Sequence, residues 1–170
     1  MRINNCSFSN SQSNIWSYIS VQALQGTLSV FNTTFAVPIN SYAITVSTSI
    51  DVYPTLSIDS CFFNGFSSSS LIYSDSTSVS ITNSVFTDLT YPVLQHQAPS
   101  YGTYYQNTIV VTNNFFSNVS TTTESILHFT GPSYTSVNIS NNVATECGCF
   151  FSFSNANNQF VRKKGFPKLM

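Results

Sequence analysis

The sequence predicts an all-β fold, a right-handed parallel β-helix of about six stacked coils over residues 1–160, followed by a basic tail at 161–170. Three observations predict it. A short pattern recurs along the chain, apolar residues alternate with period two ahead of each copy, and a second apolar segment follows each copy. Recurrence at a few tens of residues is the mark of a solenoid, in which each repeat buries its apolar face only against its neighbours.

The repeated pattern reads apolar, variable, Asn or Ser, two further residues, then Phe. Its copies start at Ile3, Val30, Ile58, Ile81, Val111 and Ile139, so the anchors lie 23 to 30 residues apart. The last copy alone ends in Ala144 instead of Phe. Two positions before the anchors stand Leu28, Leu56, Val79, Ile109 and Val137, the alternation of a half-buried strand. A third, shorter strand is expected to carry the Phe itself. The second apolar segments, at 15–19, 43–46, 71–73, 93–94, 126–129 and 150–153, supply another strand per coil. Stretches rich in Ser, Thr, Pro and Tyr at 67–70, 97–105 and 120–124 absorb the variation in length at coil corners.

Parallel stacking puts each repeat position over its equivalent in the next coil, so identical residues form ladders. Asn5, Asn32, Asn83, Asn113 and Asn141, with Ser60 in the third coil, are expected to form an inward amide ladder, and Asn also tolerates the left-handed turn conformation. Phe8, Phe35, Phe63, Phe86 and Phe116 are expected to stack inside the core. A β-sandwich would instead call for hairpin turns of the Asn-Gly or Asp-Gly kind, and Asn64-Gly65 is the one such dipeptide.

Composition narrows the function classes. Charged residues are 6% of the chain and the net charge is −1, so no field favours nucleic acid. Ser, Thr and Asn provide roughly two fifths of the residues, well above ordinary usage. No stretch approaches the roughly 18 apolar residues that span a bilayer, and no membrane span is expected. The opening residues already read as the middle of a repeat, so Met1 is expected to be an internal start with any targeting signal upstream. Four of the five basic residues (Arg162, Lys163, Lys164 and Lys168) fall in the tail. A solvated end is the plain expectation for it, and a membrane-proximal basic stop or a cap on the last coil the sharper ones.

The repeat resembles those of the pectin-lyase-like parallel β-helix superfamily, in particular the Asn- and Ser-rich repetitive surface proteins of protists. The resemblance covers residues 3–153 and implies a fold more than an activity. Members that cleave polysaccharides carry acidic clusters and a Lys or Arg base on the outer face of one strand ladder. The corresponding outward positions here are Asn4, Phe31, Asp59, Thr82, Thr112 and Ser140 in one row and Ser29, Ser57, Ser80, Val110 and Asn138 in another, and Asp59 is their sole carboxylate. A glycosidase needs two carboxylates about 5–10 Å apart. Asp51, Asp59, Asp75, Asp88, Glu124 and Glu146 offer no pair in adjacent coils, since Asp88 and Glu146 share a register with Asn118 between them.

The remaining candidates are sparse. His96 and His128, on adjacent coils, read as two partly exposed strand residues. Cys147-Gly148-Cys149 lacks zinc-site spacing, and Cys6 and Cys61, two coils apart, read as buried small residues. No metal, cofactor or catalytic residue is assigned. Sequons occur at Asn5, Asn32, Asn118 and Asn138. With Asn5 and Asn32 placed on the inward ladder, Asn118 and Asn138 are the expected glycan acceptors. The expected role is a non-enzymatic extracellular or cell-surface scaffold for adhesion, with cell-surface proteins or glycans as partners and open coil ends able to associate end to end. The alternative is a carbohydrate-binding or polysaccharide-degrading β-helix that uses Tyr101, Tyr104 and Tyr105 as stacking platforms.

Overall fold

A computed structural model describes residues 1–9, 17–22, 26–36, 42–48, 54–65, 70–98, 107–121, 125–131, 136–154 and 168–169. The chain lays down strands in threes. The first triplet is β1 (Arg2–Asn4), β2 (Ser7–Ser9) and β3 (Ser17–Val21), and the second is β4 (Thr27–Phe31), β5 (Thr34–Ala36) and β6 (Tyr42–Val46). Next come β7 (Thr55–Asp59), β8 (Phe62–Asn64) and β9 (Ile72–Asp75), then β10 (Ser78–Thr82), β11 (Val85–Leu89) and β12 (Leu94–Gln97). They are followed by β13 (Thr108–Thr112), β14 (Phe115–Val119) and β15 (Leu127–Thr130), then β16 (Ser136–Ser140), β17 (Val143–Thr145) and β18 (Phe151–Ser154). A last short strand is β19 (Lys168–Leu169).

Strands in equivalent positions pair in parallel into three sheets. Sheet A has the order β1-β4-β7-β10-β13-β16, sheet B β19-β17-β14-β11-β8-β5-β2, and sheet C β18-β15-β12-β9-β6-β3. The molecule is a parallel β-solenoid with no helix among the described residues. The anchors pair one over another from Ile3 through Val30, Ile58, Ile81 and Val111 to Ile139. The four inner triplets have neighbours on both sides, which is why the buried aliphatic residues concentrate there.

Sheet B carries the Phe column. Successive rings of Phe8, Phe35, Phe63, Phe86 and Phe116 stack with centroids 4.7–5.0 Å apart and planes within 10° of parallel. Burying each ring is worth about 2–3 kcal/mol, and stacking adds about 0.5–1.5 kcal/mol per pair. Ala144 ends this run, and Phe150 from the following bend fills the vacated space, meeting Phe116 edge-on at 5.1 Å.

The Asn column departs from expectation. Asn5, Asn32, Ser60, Asn83, Asn113 and Asn141 all have positive φ, between 46° and 59°, as the left-handed bend from sheet A to sheet B requires. Their side chains are exposed and do not form the inward ladder. The bend reverses the in-out parity of the strand, so the inward column is the next residue along: Cys6, Thr33, Cys61, Ser84, Asn114 and Asn142. The last five of these are buried.

The inner column satisfies N–H groups at the bend and adds second contacts to nearby carbonyls. Asn114 Oδ1 accepts from the Ser84 N–H at 2.9 Å, while Asn114 Nδ2 donates to the Ile81 carbonyl at 3.0 Å. Asn142 repeats both contacts one coil on, with the Asn114 N–H at 3.0 Å and the Val111 carbonyl at 2.8 Å. Ser84 Oγ accepts from the Cys61 N–H and donates to the Thr82 carbonyl. Buried backbone groups at a tight corner need such partners, because an unpaired one costs about 1–3 kcal/mol.

Candidate functional surface

The outer face of sheet A has the register expected of it. Asn4, Phe31, Asp59, Thr82, Thr112 and Ser140 lie on one row, and Ser29, Ser57, Ser80, Val110 and Asn138 on the next, joined by Arg2 at its start. Asp59 is engaged by its neighbours. Its Oδ1 accepts from Thr82 Oγ1 at 2.6 Å and Asn83 Nδ2 at 2.7 Å, and its Oδ2 from Ser60 Oγ at 3.2 Å. Partial burial pulls the carboxyl pKa up, but these three donors outweigh it and hold it below the ordinary value. Such a carboxylate is ionised and committed, poorly placed to trade protons.

A second left-handed column marks the far end of sheet B. Gly65, Asp88, Asn118 and Glu146 all have positive φ, and the pairings on either side put them at one level of successive coils. Asn118 separates the two acids and donates from Nδ2 to Asp88 Oδ1 at 2.7 Å. No two described carboxylates therefore face each other in adjacent coils.

The two histidines point apart. His128 pairs with Gln95, and His96 pairs with Phe129, one position on, so the rings project to opposite faces of sheet C. His128 is half-buried on the outside, where its Nδ1 lies 2.9 Å from Ser152 Oγ and Ser152 in turn bonds Ser125. His96 is fully buried, contrary to the expectation of a partly exposed residue, with Nε2 2.8 Å from the Thr77 carbonyl. Burial drives its pKa down to about 4, more than the Thr77 bond restores. Neutral at ordinary pH, His96 donates Nε2–H to that carbonyl.

The thiols are free in all four cases. Cys61 is buried as expected and its burial raises its pKa, whereas Cys6, expected to be buried, is exposed in the first described coil. Cys147 packs against the core and Cys149 is exposed. Among the described residues no group of three or more His, Cys, Asp or Glu is assembled as a metal site. No helix there is long and apolar enough to cross a membrane.

Of the candidate surface residues, Asn118 and Asn138 are exposed, and the Asn138 Oδ1 accepts from Ser140 Oγ at 3.0 Å. Tyr101, Tyr104 and Tyr105 lie outside the described residues. The structure adds an outward column on sheet B: Ser7, Thr34, Phe62, Val85, Phe115 and Val143. Phe62 and Phe115 are 38% and 39% exposed, which makes the column apolar from its third member on. Its signal in the sequence is the residue immediately preceding Phe63, Phe86, Phe116 and Ala144.

These features define a three-sheet parallel β-solenoid whose described bends are hydrogen-bonded from coil to coil. Comparison with protein-family models, with curated proteins and with solved structures found no match.

Proposed function

We propose that the chain is a non-enzymatic extracellular or cell-surface module, a stiff spacer that holds its corner loops out for adhesion, of the pectin-lyase-like repeat type. The observation that carries this reading is the outer face of sheet A, where the one carboxylate in the two outward rows is held by three hydrogen bonds from its neighbours. General acid–base catalysis needs a group free to change protonation, and the carboxylate of that face is engaged instead. At ~4.8 Å per coil the stacked triplets make a rod about 30 Å long. Antibody labelling of intact, unpermeabilised cells tests the placement, and signal confined to the cytosol would overturn it. Turnover of a polysaccharide by the purified chain would overturn the non-enzymatic part.

A carbohydrate-binding reading is favoured by the exposed Phe62 and Phe115, which share one outward column two coils apart. Flat aromatic rings are common sugar platforms. A glycan array and a polysaccharide-cleavage assay that both return nothing remove this second reading.

A further inference from the structure

The outward turn of the first Asn column changes which sequons a glycan can reach. We propose that Asn5 and Asn32 together form one additional N-glycosylation position, at which the folded chain carries a single oligosaccharide and never two. The proposal rests on the extracellular reading. In the reaction, Asn Nδ2 attacks the anomeric carbon of a polyprenyl-diphosphate-linked oligosaccharide. The carbon–nitrogen bond forms as the carbon–oxygen bond to phosphate breaks, the diphosphate leaves with the electron pair, and Nδ2 gives up one proton.

Three observations support the site. Both side chains are exposed at left-handed bends, φ 53° for Asn5 and 46° for Asn32. The hydroxyl residues of the two sequons, Ser7 and Thr34, pair with each other at the start of β2 and β5 on the outward column. The middle residue of the second sequon, Thr33, turns inward and bonds the Phe31 carbonyl at 2.8 Å, so amide and hydroxyl share the outer side.

Exclusivity follows from contact. Asn32 Nδ2 donates to Asn5 Oδ1 at 2.5 Å, so the two amides touch. Neighbouring coils are separated by ~4.8 Å, less than the width of a sugar ring with its acetamido group. A glycan on either amide keeps this bond available, since Asn32 retains one N–H on Nδ2 and Asn5 takes part through Oδ1 alone, so the contact limits the pair to one glycan without choosing which Asn carries it. Asn118 and Asn138 are different. Their neighbours are Asp88 and Glu146 in one case and Val110 in the other, none of them a sequon. Glycans are added to the emerging chain, so the restriction acts at folding, and a doubly modified chain is the one that fails to reach the medium.

The test is expression of the full chain behind a cleavable signal peptide in a eukaryotic secretory host. Peptide mass spectrometry after glycosidase release in heavy-oxygen water reads occupancy on both the secreted and the membrane-enclosed pools. Intact mass counts glycans per molecule. The expected result is one glycan per secreted molecule at this pair, retained on the remaining Asn in either single variant, Asn5→Gln or Asn32→Gln, and lost in the double variant, with circular dichroism confirming the fold. Two glycans at this pair on one secreted molecule overturn the proposal. So does the absence of both when Asn118 or Asn138 is occupied, or the absence of all four. Fractionation of the native cells that finds the protein in the cytosol would instead sink the extracellular reading.

Discussion

His96 stands level with Ser74 in one neighbouring coil and Phe129 in the other, inside an apolar stack. A folded pKa of about 4 against 6.5 for the free imidazole means that the unfolded chain binds the extra proton between those values. Stability is therefore full above pH 6.5 and is lost as pH falls toward 4, by about 3 kcal/mol at the full extent. Denaturant titrations at pH 7 and pH 5 are expected to show that slope, and His96→Gln, which cannot titrate, is expected to flatten it. Adjacent residues at the bend make an equally sharp contrast. Asn114→Ala strands the Ser84 N–H in the core and is expected to cost about 1–3 kcal/mol, the cost of one orphaned buried group. Asn113→Gly, at an exposed position with φ 59°, is expected to change stability by less than about 1 kcal/mol. Thermal melts of the two variants separate the inward column from the outward one. The sequence pattern marks Asn113 as the repeat residue and cannot say which neighbour points inward, because face assignment by period two holds only while φ stays negative. A single left-handed residue resets the count. The inward column was nonetheless legible in kind, as a small or amide side chain at Cys6, Thr33, Cys61, Ser84, Asn114 and Asn142.

At the scale of the strand, the Phe column shows what a repeat reveals and what it hides. Phe8 through Phe116 recur at one position of the pattern, and stacking in parallel places like over like, so their ladder could be read from spacing alone. Phe150 could not. It belongs to the bend before β18 and reaches the column because Ala144 leaves a space beside Phe116, a compensation between two parts of one coil that no periodicity encodes. The difference predicts unequal costs. Phe63→Ala removes a fully buried ring with stacked partners on both sides and is expected to destabilise by about 3–5 kcal/mol. Phe150→Ala removes a partly exposed ring with one edge contact and is expected to cost less than half of that. Urea unfolding of the two variants checks the ratio, and equal losses would show that the last coil packs as tightly as the middle ones. Sheet C was less legible than sheet B because its inward residues mix Val21, Val46, Ser74, His96 and Phe129 in one column. Burial there follows from register, which the variable corner lengths obscure.

For the molecule as a whole, the ends decide how it behaves in solution. A solenoid buries each coil against the next, so a terminal strand presents unpaired N–H and C=O groups that invite another chain. Among the described residues the terminal strands are β1, β2 and β3 at one end and β16 and β18 at the other. Sheet B differs at that second end, because β19 pairs in parallel with β17, setting Lys168 opposite Val143 and Leu169 opposite Ala144. The basic tail thus closes one of the three edges by supplying a strand. Stacking of a second copy in register has to extend all three sheets at once, and an occupied edge on sheet B obstructs it, whereas a bare β17 does not. Removing residues 161–170 is therefore expected to raise association, seen in sedimentation velocity as larger species whose fraction grows with concentration, while the intact chain stays smaller at matched concentration. Pro substitution on β1, for example Ile3→Pro, introduces a residue without a donor N–H and a ring that fits poorly against an added strand. In the shortened chain that change is expected to reverse the association if growth proceeds end to end. Persistence of the larger species would point to contact through a side face instead, with the apolar column of Phe62, Val85, Phe115 and Val143 as the surface to substitute next.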